Sequence, residues 1–325
     1  MIRAGVPALI LAPMEGVTDA PMRALMSARG GFTHCVSEFL RVTKNVPPAH
    51  VFRAHIPEMA DGWRTPTGML VQVQLLGGDA ERLAETAALA VKLGAPGVDL
   101  NFGCPAQTVN RHDGGATLLK YPERIEQIVR AVRNAVPAGI PVSAKLRLGW
   151  DSIEAVHENS ERAASGGADW IVIHARTRMQ GYQPPVFWTA IGEARARVGI
   201  PVVANGDIWT LEDFLRCRDL TGAEHFMLGR GALADPHLAW RVARELGLPA
   251  PEVTEPFGME PEDWAPLIQE FVTIGAGLGR VKQWLRQAHS RRPRPWFETL
   301  KRFDELEQAL VFFGAPTAQQ DKGKP

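Results

Sequence analysis

The chain has 325 residues, 45% hydrophobic and 22% charged, with 36 basic and 36 acidic side chains that cancel. That is the balance of a globular protein large enough for one barrel-sized domain plus a smaller appendage. No apolar run reaches the roughly 18 residues of a membrane span, a neutral chain meets a polyanion only through a local patch, and the scattered Cys35, Cys104 and Cys217 exclude a disulfide framework or a Cys-x-x-Cys metal site.

Residues 8–12 form a short apolar strand stopped by Pro13, and Thr18 or Asp19 can cap a helix that starts near Pro21. Residues 32–39 and 69–76 are the next two strands. Gly77-Gly78-Asp79 then opens a helix over residues 80–93, with Leu83, Ala87, Ala90 and Val91 on one face. Residues 97–101, 141–148, 170–174, 201–205 and 225–228 complete a set of eight strands separated by helical stretches. Eight such alternations indicate an α/β fold of the (β/α)8 TIM-barrel type. A doubly wound open sheet is the alternative, weakened because no Gly-x-Gly-x-x-Gly follows the first strand.

The fourth strand ends in Asn101-Phe102-Gly103-Cys104-Pro105, a corner that a regular strand does not continue through. A cysteine alone reads as structural, but its place at a strand mouth, beside Asn101 and the polar loop of residues 110–116, favours reactivity. On the barrel reading, Glu15, Glu38, Gln74, Asn101, Cys104, Lys145, Arg147, His174, Asn205 and Arg230 all fall at carboxyl ends of strands, where such barrels hold their sites. Asn205-Gly206-Asp207 and Gly229-Arg230-Gly231 follow the seventh and eighth strands, the usual place for a phosphate. A planar cofactor with one phosphate would use Lys145, His174 and Arg230, with Gln74 on its pyrimidine edge. Flavin mononucleotide (FMN) fits better than a dinucleotide, and a sugar phosphate remains a competing occupant on spacing alone.

Residues 249–256 are a proline-rich linker. Beyond it, residues 261–275, 280–290 and 295–313 read as a small helical bundle. Between Arg280 and Arg302 stand eight Lys or Arg and one acid, Glu298, interleaved with Trp284, Trp296 and Phe297. Such a local basic excess suits a phosphate backbone, while core packing is the expected role of Trp284 and Trp296. The expected organisation is a barrel over residues 1–248, a helical domain over 256–313 and a disordered tail over 314–325.

The motifs Leu11-Ala12-Pro13-Met14-Glu15-Gly16, Val73-Gln74-Leu75-Leu76-Gly77, Asp99-Leu100-Asn101-Phe102-Gly103-Cys104-Pro105, Lys145-Leu146-Arg147, His174-Ala175-Arg176-Thr177, Ala204-Asn205-Gly206-Asp207 and Gly229-Arg230-Gly231-Ala232 stand in the order found in tRNA-dihydrouridine synthases. The resemblance runs from residue 8 to about 290, and Gly149-Trp150-Asp151, Gln180-Gly181-Tyr182 and residues 280–285 look most like the branch acting on uridine 16 of the D-loop. It implies NADPH-driven, FMN-dependent reduction of a uridine in tRNA to 5,6-dihydrouridine, with a hydride delivered to carbon 6 and Cys104 protonating carbon 5. It further implies that Pro13, Met14, Glu15, Gln74, Lys145, His174, Asn205, Gly206, Asp207, Gly229 and Arg230 contact FMN. Asn101, Arg147, Arg176 and His174 are implied at the uracil and ribose, and Arg41, Tyr182, Arg280, Lys282 and Gln287 at tRNA. Phe102 and Gln287 depart from the residues expected there; Phe102 is expected to pack. A cytoplasmic monomer with no metal or membrane partner is expected. A flavin barrel reductase of a free pyrimidine or enoate, and a tRNA-binding module with a relic barrel, are the alternatives.

Overall fold

The computed structural model describes residues 1–3, 5–110 and 113–315. Eight strands alternate with helices: β1 (Ala8–Leu11), β2 (His34–Arg41), β3 (Leu70–Leu76), β4 (Val98–Asn101), β5 (Val142–Arg147), β6 (Trp170–His174), β7 (Val202–Asn205) and β8 (His225–Leu228). All neighbours pair in parallel, in chain order, and β8 pairs back to β1, so the sheet closes and the open-sheet alternative falls. Because side chains alternate across a strand, each strand feeds two cores. Ala8, Ile10, Ala12, Val36, Trp170, Val172, Val203 and Met227 fill the barrel, with Met1 and Ile2 packed against them. A larger apolar layer joins the barrel's outer face to the helices.

Seven of the strands start and stop within a residue of the positions read from the sequence. The second runs two residues later at both ends, with a break in register between Val36 and Phe39 that lets it continue to Arg41. Asp19 rather than Thr18 caps the first helix, accepting from the Met22 amide at 3.1 Å. Arg23 in that helix is fully buried and meets Glu58 through two hydrogen bonds of 2.8 Å, with a third to the Thr18 carbonyl. Arg23→Met strands the Glu58 charge and should cost about 3–5 kcal/mol, seen as a lower urea midpoint; adding Glu58→Leu should recover most of it.

After the barrel come helices Pro261–Thr273, Leu278–Arg291, Phe297–Leu300 and Leu306–Phe313. The span 295–313 is therefore two helices, not one. Glu305 starts the second with a reciprocal cap to Gln308. The Lys282 ammonium donates to the Lys301 carbonyl at 3.0 Å and to the Phe303 carbonyl, satisfying the break. Trp264 and Phe271 each meet Trp284 edge-to-face, with centroids 5.5 and 5.4 Å away, as expected of a bundle core. Trp284 Nε1 donates to the Leu233 carbonyl, and Arg280 donates to the Gly16 and Val17 carbonyls and pairs with Asp19, fixing these helices on the barrel mouth. No described helix is long and apolar enough to cross a membrane. Of the expected tail, residues 316–325 lie outside the described residues, as do Arg111 and His112 of the loop after Cys104; Ala315 is buried.

Candidate active site

A cavity of about 530 Å³ opens at the carboxyl ends of the strands, within the size range of ligand pockets. Each strand contributes to it: Pro13, Met14 and Glu15 after β1, Gln74 on β3, Asn101 and Cys104 at the end of β4, and Lys145 and Arg147 on β5. His174 and Tyr182 come from β6 and its loop, Asn205, Gly206, Asp207 and Trp209 from β7 and its loop, and Gly229 and Arg230 from β8. Gln287 reaches in from the Leu278–Arg291 helix. Every residue expected at a cofactor, and Cys104, Asn101, Arg147, Tyr182 and Gln287 besides, thus lines one cavity.

The Cys104 corner is built by its neighbours. Asn101 Oδ1 accepts both the Gly103 and Cys104 amides at 2.9 Å, turning the chain sharply. Arg147 Nε donates to the Gly103 carbonyl at 2.8 Å, and its Nη1 to the Gly181 carbonyl at 2.9 Å. Arg147, expected at the uracil, is thereby a clamp between the thiol corner and the loop that carries Tyr182. Phe102 is buried, as expected. The Cys104 thiol is half-buried, and burial pushes it above its ordinary value, against the opposing pull of the Ala106 amide and Arg147. It is therefore protonated at neutral pH, the state an acid needs.

Beneath the corner runs a buried polar chain. The Asn101 amide donates to Gln74 Oε1 at 2.7 Å, and Gln74 Nε2 donates to Asp99 Oδ2 at 2.6 Å. Ser143 donates to Asp99 Oδ1 at 2.5 Å, and Gln72 donates to Ser143 at 3.0 Å. Among the described residues, one N–H and one lone pair of Gln74 stay without a partner. Burial pushes Asp99 up to about 6, while burial and Arg147 bring Lys145 down to about 8; each charge partly holds the other. The Lys145 ammonium makes no protein hydrogen bond among the described residues. Burial first, then Arg147 and Lys145, drives His174 well below its usual range, so the ring is neutral, and its buried Nδ1 has no partner among the described residues.

On the opposite wall Gly206 sits at φ 112°, and a Cβ there would press to 3.1 Å on the Ala175 amide nitrogen. A Cβ on Gly231 would lie 2.1 Å from the Ile208 carbonyl oxygen, so glycine lets the loops after β7 and β8 close together. Asp207 holds a left-handed φ of 54° and accepts from both terminal nitrogens of Arg176, at 2.8 Å from Nη1, and from Arg230 at 3.2 Å. Two cations against one carboxylate leave one net positive charge for an anion.

Four expected contacts fall outside the cavity lining. Arg176 is buried behind Asp207, Arg41 donates to the Thr108 carbonyl on an exposed face, and Arg280 and Lys282 hold the carbonyls described above. Sequence reasoning missed Gln72, Asp99 and Ser143 beneath the site and Trp209 in its wall. The signal for the first three was present: polar residues two apart within apolar strands, at Gln72/Gln74, Asp99/Asn101 and Ser143/Lys145/Arg147, point to one polar layer inside a barrel.

The family model described as dihydrouridine synthase matches residues 10–311. A tRNA-dihydrouridine(16) synthase of Pseudomonas syringae pv. tomato is 43% identical over 318 residues, covering 95% of this chain and 99% of the relative. The protein of that name in Escherichia coli strain K12 is 45% identical over 287 residues, covering 85% and 87%. Among solved structures, the old yellow enzyme homologue from Zymomonas mobilis superposes with a TM-score of 0.51 at 14% identity, over 76% of this chain and 91% of that one, a likeness of fold.

Proposed function

The chain belongs to the dihydrouridine synthase family, and from that premise we propose that it reduces uridine 16 of the tRNA D-loop to 5,6-dihydrouridine, with FMN in the barrel mouth and NADPH as reductant. The observation that carries the reading is the meeting, in one cavity, of a protonated Cys104 thiol and a Lys145 ammonium that makes no hydrogen bond among the described residues. The lining suits FMN. His174 Nδ1 is an orphaned buried polar atom, Gly206 and Gly229 leave backbone open to the cavity, and Arg230 supplies a fork for phosphate. Gln74, Lys145, His174, Asn205, Gly206, Asp207, Gly229 and Arg230 would hold it beside Pro13, Met14 and Glu15. When bound, FMN would supply the hydride that goes to carbon 6 of the uracil.

The side chains do the rest. Cys104 donates its proton to carbon 5: the S–H bond breaks, a C–H bond forms, and the thiolate regains a proton from water. Asn101 and Arg147 keep the sulfur in place, the ordering that positioned chemistry requires. Lys145, which lines the cavity, would offer its positive charge to a reduced flavin held there. The target base leaves the folded tRNA to enter the cavity. The barrel, residues 1–248, carries the chemistry, and the helical region, residues 256–313, engages the tRNA.

The test is NADPH oxidation by the purified protein with an unmodified tRNA transcript or with free uridine. Turnover with tRNA alone supports the proposal, and turnover with free uridine supports a small-molecule reductase instead. The Asp99–Lys145 pair makes a further expectation. Asp99 raises the Lys145 value, so Asp99→Asn removes that support and lets burial and Arg147 push the ammonium further below about 8. Activity that needs the charged lysine should then fail on the alkaline side about one unit lower than in the wild type; the pH profile of tRNA reduction reads it.

A further inference from the structure

Arg230 stands out in the cavity wall because aromatic rings meet its guanidinium. Its Cζ lies 4.3 Å from the centroid of Tyr182 and 5.0 Å from that of Trp209, while its edge touches Asp207 at 3.2 Å. Trp209 is itself held: its amide donates to Asp213 Oδ2 at 3.0 Å, and the next residue, Thr210, caps the following helix reciprocally with Asp213. Rings against the plane of a guanidinium leave hydrogen bonding to its edges. Asp207 is already neutralised by Arg176, so the remaining edge of Arg230 is charged, fixed in direction and open to the cavity.

We propose that Trp209, together with Tyr182, is a positioning residue for Arg230, and that it makes the site select a flavin bearing a phosphate over one without. This rests on the FMN reading of the barrel mouth. An arginine free to swing would still attract an anion, but would lose rotamer freedom on binding it. A guanidinium already set by two rings is pre-organised for a phosphate held at one place.

The experiment titrates the flavin-free full-length chain with FMN and with riboflavin, followed by quenching of flavin fluorescence. The wild type should bind FMN more tightly. In Trp209→Leu the FMN dissociation constant should rise about tenfold, the range of a cation–π contact, while that for riboflavin stays put. Trp209→Phe should keep most of the preference. In an Arg230→Met background the preference should be gone and Trp209→Leu should weaken FMN no further. Equal weakening of both flavins by Trp209→Leu, or a full loss of FMN affinity from it in the Arg230→Met background, would overturn the inference, since the ring would then be only a wall. A wild type that binds both flavins equally overturns it by removing phosphate from this wall. One that binds neither overturns it together with the FMN reading itself.

Discussion

Cys104→Ala is expected to lower dihydrouridine formation by about two to four orders of magnitude, the usual share of a positioned acid, while FMN content and tRNA affinity stay at wild-type levels. Among the described residues the thiol donates no side-chain hydrogen bond. It is half-buried at the cavity edge, and the corner that presents it is held by Asn101 Oδ1 and Arg147 through backbone groups that alanine retains. Loss of flavin in the variant would make Cys104 part of the pocket wall, and wild-type rates would remove it from the acid role. Quantifying dihydrouridine per tRNA, beside the flavin spectrum of the purified protein, separates these results.

Replacing Arg286, Lys301 and Arg302 together with glutamine is expected to weaken tRNA binding by about one to two orders of magnitude at low salt and to flatten its salt dependence by about two to three units of slope. The structure sorts the basic stripe of residues 280–302 by what each cation already holds. Arg280, Lys282 and Arg294 donate to carbonyls, Arg292 reaches the Phe257 carbonyl, and Arg291 lies 5.3 Å over Trp209. Arg286 and Arg302 are exposed, with no side-chain hydrogen bond or ion pair among the described residues. Lys301 makes a surface pair with Glu298, of a kind that contributes little, lies 5.8 Å over the Phe297 ring, and shares a groove with Arg286 and His289. Flavin affinity should not change. Binding isotherms at several salt concentrations give the slope, and an unaltered slope would place the phosphate contacts elsewhere.

The barrel was legible because its strands are short apolar runs that alternate with helical stretches, each bounded by Gly, Pro or a polar turn. What stayed hidden was local or mutual. The slip in β2 follows from a register break between Val36 and Phe39 that no hydrophobic pattern marks. The interruption in residues 295–313 depends on Lys282, some twenty positions back, to satisfy two carbonyls. At the site, side chains at strand ends were found by position, but their partners were not. Arg147 reads as a free cation in sequence, yet its Nε and Nη1 donate to the carbonyls of Gly103 and Gly181, which only folding brings near. Trp209 belongs to no motif, and its meaning comes from lying against Arg230.

The central claim is that this barrel saturates one uracil ring in tRNA, and position mapping tests it most directly. Unmodified tRNA transcripts incubated with the purified chain, FMN and NADPH are digested and sequenced by mass spectrometry. The account predicts a gain of two hydrogens at uridine 16 and nowhere else in the D-loop. Transcripts recovered without that gain, or with it only at other uridines, would contradict it.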